Sequence, residues 1–114
     1  MKQFVVLYYA PDSAMEKMQN SSSEEMKKGM EEWMKWAEKC GEHLVEMGNP
    51  LGNGQEINPS GVSQSQKGVV GYSILQANEM SEAEDLLKGH PHLGWTDGCQ
   101  IEILEKMPLP KDNC

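Results

Sequence analysis

Residues Val69–Met107 read VVGYSILQANEMSEAEDLLKGHPHLGWTDGCQIEILEKM. Val69–Ala77 is β-branched and aromatic at alternate positions, which predicts a strand. Ser81 with Glu84 has the capping-box spacing and predicts a helix start; Gly89 closes that helix and Pro91 forbids its continuation. Gly89–Trp95 is then a turn holding two of the three histidines, His90 and His92, and one of the three tryptophans. Cys99–Met107 alternates Cys99, Ile101 and Ile103 on one side as a last strand, ended by Pro108 and Pro110.

Upstream, Phe4–Tyr9 is a continuous apolar run, the pattern of a strand buried on both faces. Met15 and Met18 suggest a short turn, and Ser22 with Glu25 is a capping box. Met26, Met30, Trp33, Ala37, Cys40, Leu44 and Met47 recur every three or four residues and predict a helix face; Gly41 interrupts it and Gly48 ends it. Residues 48–68 are too long for a structureless loop in a compact domain, so a short strand is expected around Gly54–Asn58, paired with Val69–Ala77.

The order is β-α-β-β-α-β in one domain, 1–114, with a frayed tail from about residue 109. It implies an α+β, ferredoxin-like sheet with both helices on one face. The other face would expose residues such as Leu7, Leu75 or Ile101, a patch monomers rarely tolerate. A second sheet packed against it would give a dimeric α+β barrel, so a homodimer is expected over a monomer with a polar bare face.

Composition removes other classes. The 114 residues hold three Trp, three Tyr and one Phe, enough for one modest core filled out by nine Met. The net charge is −8 with ten lysines and no arginine, which argues against a nucleic-acid partner. The N-terminal apolar run is too short for a signal segment or a membrane span, and Cys40, Cys99 and Cys114 form no close pair, so a cytoplasmic location is expected.

Gly71–Ala77, the acidic helix after it, Leu87-Lys88-Gly89-His90-Pro91 and Ile101-Glu102-Ile103 resemble the YCII-related family in its DGPF-containing branch. Tyr8-Tyr9, Trp36, Gly41 and Asn49-Pro50-Leu51-Gly52 fit the same pattern, so the likeness spans the chain. It implies a dimeric α+β barrel; a few such relatives act on small aromatic or lactone substrates, including by dehydrochlorination. The resemblance also implies a His–Asp pair, but Met30 or a neighbour stands at the histidine position and His90 at the aspartate position. The DGPF motif is not readable here.

His90 and His92, two residues apart in an extended turn, would face one cleft, with Asp97 or Glu102 to orient an imidazole acting as acid or base. The plainer alternative is a histidine capping the helix C-terminus. His90, His92 and Cys99 or Asp97 match no metal-binding spacing, and neither metal nor cofactor is expected. Tyr8, Trp36, Tyr72 and Trp95 are candidate ligand contacts, against the alternative of plain core, which suits Trp33 better. His43 is expected on the solvated face of the long helix, and Cys40 in the core. Two functions follow: a cofactor-independent enzyme moving a proton on a small organic molecule, or a non-catalytic ligand-binding or regulatory barrel. A structural dimerisation module is a third.

Overall fold

The structure, a computed structural model, describes residues 1–110, the side chain of Met15 excepted. The expected fraying beyond Pro110 lies outside the described residues. The elements are β1 (Lys2–Tyr9), α1 (Asp12–Gln19), α2 (Ser23–Cys40), β2 (Leu44–Glu46), β3 (Gln55–Asn58), β4 (Gly61–Gln64), β5 (Val69–Ala77), α3 (Met80–Leu87) and β6 (Gln100–Glu105). Four strands form an antiparallel sheet in the order β2-β5-β1-β6, with β3 and β4 as a separate hairpin. This is the expected α+β, ferredoxin-like topology.

Strand β1 is the centre because it pairs along its whole length with β5 and over six residues with β6. Phe4, Val6 and Tyr8 point to the helices and are buried, as are Ser73, Leu75 and Ala77 of β5. They pack on Trp36 and Cys40 of α2 and on Ala83 and Leu87 of α3. The other face carries Val5, opposite Ile74 and Leu104, and Leu7, opposite Tyr72 and Glu102. Leu7 lies there as expected, but Leu75 and Ile101 are on the helical side. Register explains this: Leu75 pairs with Phe4, and Ile101 with Tyr8, so both share the inward set. β1 is accordingly buried on one face and only half-buried on the other.

The long helix differs most from expectation. Ser22 caps it as predicted, its hydroxyl accepting the Glu25 N–H at 3.1 Å. It ends at Cys40, where Gly41 turns to φ +55; a short 3-10 segment follows, and Leu44–Glu46 is strand β2, not helix. Leu44 keeps its apolar role by facing the core opposite Leu75. β2 therefore occupies the edge that 54–58 was expected to fill, and β3 pairs with β4 instead of β5. Met26 and Met30 are more than half exposed. The helix is buried only toward its C-terminal end, at Trp36 and Cys40.

The turn at Met15 and Met18 is a full eight-residue helix. Helix α3 starts two residues earlier than the Ser81–Glu84 pattern implies. Glu79 is its N-cap, without a side-chain hydrogen bond, and Ser81 sits inside the first turn.

Gly48 crosses β5 at φ +85, and a Cβ there would run into the carbonyl oxygen of Tyr72. Gly48→Ala should therefore destabilise the chain by more than about 2 kcal/mol, combining a left-handed backbone with a collision against backbone. A urea midpoint equal to that of the natural sequence would refute this.

Candidate functional site

Tyr8, Ser73 and His90 are buried polar residues joined through the Tyr8 hydroxyl. That hydroxyl lies 2.8 Å from Ser73 Oγ and 3.3 Å from His90 Nε2. Ser73 Oγ donates to the Met47 carbonyl at 2.6 Å, and the His92 N–H donates to His90 Nδ1 at 3.0 Å. A carbonyl only accepts and an amide only donates, so both ends set every proton between them. Ser73 must donate to Met47; Tyr8 then donates to Ser73, and the Nε2–H of His90 donates to Tyr8.

His90 is thus a neutral imidazole with both nitrogens engaged. Its ring lies 4.4 Å from Trp36, 4.5 Å from Trp33 and 5.1 Å from Tyr8, centre to centre, and is almost wholly buried. Burial, and secondarily the nearby His92, push its pKa down to about 3. Burial likewise drives the Tyr8 pKa up, against the opposing effect of the Ser73 hydrogen bond. The Trp36 indole N–H donates to the Leu86 carbonyl at 2.8 Å, which locks α2 to α3 behind the histidine. Trp36 is buried and Trp33 half-buried, the reverse of the expected assignment.

Residues 91–94 are not extended. Pro91–Gly94 is a 3-10 turn that His90 caps with its own ring, so the two histidines serve different partners. His92 Nε2 donates to the Tyr9 carbonyl at 2.8 Å. Among the described residues its Nδ1 has no hydrogen-bond partner, yet no side-chain nitrogen or oxygen there is both fully buried and unbonded. His92 is itself buried, 3% exposed, so Nδ1 keeps at most a narrow contact with solvent.

Asp97 is exposed, and its carboxylate bonds to neither imidazole. It lines an open cavity of about 560 Å³ between α1 and the 93–97 loop, with Ser13, Lys17, Trp95 and Thr96. Lys17 Nζ donates to the Trp95 carbonyl at 2.8 Å, tying helix to loop. The Trp95 ring is 6.2 Å from that of His92.

Glu102 bonds to the Tyr9 hydroxyl at 3.0 Å, and Tyr72 donates to Glu46 at 2.6 Å. Both phenols titrate above their usual range because of these carboxylates. The two phenol–carboxylate pairs lie on the bare sheet face. Only strand register brings them together, so residue spacing did not reveal them.

Cys40 is buried, its thiol pKa pushed up to about 11 by burial. Cys99 Sγ lies 3.3 Å from the Thr96 hydroxyl and contacts no histidine. His43 is half-buried in the 3-10 segment after α2, not on a solvated helix face; its Nδ1 donates to the Gln76 carbonyl at 2.9 Å, with Glu82 at 3.5 Å. Among the described residues, no three His, Cys, Asp or Glu side chains converge for a metal ion. No described helix is long and apolar enough to cross a membrane.

Structural comparison finds the 5-chloro-2-hydroxyhydroquinone dehydrochlorinase of Burkholderia phenoliruptrix, solved with 2,5-dihydroxybenzoquinone. The match covers 98% of this chain and 99% of that one, at 15% identity and a TM-score of 0.51. The two chains share a fold. No protein-family model and no curated protein sequence matches the chain.

Two outcomes follow from the buried chain of hydrogen bonds. Tyr8→Phe leaves the His90 Nε2–H without an acceptor and should cost about 1–3 kcal/mol in chemical denaturation; an unchanged stability would refute the bond. The second concerns pH. An unfolded histidine takes up a proton near pH 6.5, whereas folded His90 resists one until about pH 3. The unfolded state then binds more protons, so stability falls as pH drops through that window, by up to roughly 1.4 kcal/mol per unit, and levels off below it. His90→Gln should flatten this part of the profile; an identical slope in the variant would show that His90 is not its source.

Proposed function

We propose that the chain is a YCII-like homodimeric α+β barrel protein that binds a small organic molecule and exchanges a proton with it through His92, without a cofactor. The carrying observation is the pinned His92 ring. With Nε2–H held by the Tyr9 carbonyl, Nδ1 is, among the described residues, the imidazole nitrogen of the 90–92 turn left without a hydrogen bond, and the Trp95 ring, 6.2 Å from that of His92, lines the cavity. His90 then positions the turn, and Tyr8 and Trp36 form its packed floor. Trp95, Lys17, Thr96 and Asp97 supply an aromatic surface and polar groups of both signs for a planar, oxygen-bearing ligand. Tyr72 belongs to the bare face, which the second copy would cover. The fold-mate's substrate and bound quinone, both small oxygenated rings, support this ligand class.

A second function, ligand binding without catalysis, is favoured by a different observation. Among the described residues, neither imidazole of the turn is hydrogen-bonded to a carboxylate or thiol that would raise its basicity.

Titration with 2,5-dihydroxybenzoquinone, followed by ¹⁵N spectra of the imidazoles, separates the two. Proton exchange at His92 predicts a shift of its Nδ1 resonance, no change at His90, and loss of the shift in His92→Gln. Binding that leaves the His92 nitrogens unmoved would favour the non-catalytic function, and no binding at all would remove this ligand class. Light scattering should give twice the chain mass; a single-chain mass would overturn the dimer.

A further inference from the structure

We propose that the β3–β4 hairpin is an arm that docks on a second copy of this chain through Ile57 and Val62. This rests on the homodimer proposed above and adds a contact to it. Ile57 and Val62 are direct cross-strand partners, so their side chains stand on one face of the hairpin. They are 77% and 65% exposed, among the most exposed large apolar residues of the chain. The opposite face carries Glu56, Ser63 and Asn58, and Glu56 reaches back 3.6 Å to Lys67 at the hairpin's own base. The hairpin thus holds its β-branched pair in the open, with its polar face tied to the chain only at its base by the Glu56–Lys67 pair.

Two features point to a second copy as the occupant. An isolated two-stranded hairpin is marginal in water and needs a further apolar contact to persist. The chain is also too extended to be its own compact unit: its radius of gyration is 16.0 Å, with extents of 52 × 42 × 19 Å, against about 13 Å for a compact domain of this length. Area points the same way. A sheet face four strands wide and about six residues long presents about 400 Å². A stable pair buries about 800 Å² on each side. The bare face alone falls short by about half, and an arm reaching past the sheet supplies more.

The test places a benzophenone amino acid at position 57 of the full chain and irradiates the purified protein. The expected product is a covalent dimer whose adduct maps to the other copy, shown by mixing isotopically light and heavy chains. In parallel, Ile57→Asp with Val62→Asp should weaken dimerisation at least tenfold in concentration-dependent light scattering, with unchanged circular dichroism. Val5→Asp, on the bare sheet face, tests the face-to-face dimer separately. If Val5→Asp breaks the dimer while the arm variant does not, and the adduct at 57 is absent or lies within one chain, the arm contact is wrong and the dimer stands. A chain that is monomeric at every concentration overturns both.

Discussion

The Tyr8 hydroxyl is the constraint on which the rest depends. It sits near the C-terminal end of the central strand, on the face covered by α2 and α3, in a buried position. A buried hydroxyl without partners costs more than it contributes, so the surrounding elements must deliver an acceptor and a donor to that point. Ser73 comes from the neighbouring strand and His90 from the turn after α3. The Met47 carbonyl closes one end, and the His92 amide the other. The turn that carries the candidate chemistry is thus anchored by core packing, and the free nitrogen of His92 inherits its direction from that anchor.

The two histidines divide into roles their spacing alone does not distinguish. His90 is closed in by three aromatic rings and held neutral, so it sets geometry. His92, two residues later, is turned by the 3-10 segment so that one nitrogen is fixed by backbone and the other is left over. The same division separates the two faces of the sheet. The helical side is apolar with one fully bonded polar chain, whereas the bare side mixes aliphatic residues with phenol–carboxylate pairs.

Much of the fold could be read from the chain because its signals were local. The Phe4–Tyr9 and Val69–Ala77 runs, the Ser22 cap and the stop at Gly89-His90-Pro91 each act within a few residues. The edge strand β2 could not be read so, because Leu44 and Met47 continue the three-and-four spacing of α2. Only the positive φ of Gly41 shows that the helix has ended. Three residues are also too few to display an alternation. The histidine turn was legible as a turn, but the arrangement of its rings was not. The burial of His90 depends on Tyr8, Trp33 and Trp36, residues more than fifty positions away in the chain. The free nitrogen of His92 depends on a backbone carbonyl, which no side-chain pattern records.

The one-way run of donors from the His92 amide to the Met47 carbonyl also governs how this chain can diverge. Each member fixes the proton of the next, so losing any one strands its neighbours. Positions 8 and 90 can therefore change only together, while Ser73 keeps its own bond to the Met47 carbonyl. A homologue with phenylalanine at position 8 should carry an apolar or small residue at 90 and keep serine at 73 solely for the Met47 carbonyl. Such coupled replacement would mark lineages in which the turn has lost its anchor, and with it the fixed orientation of His92.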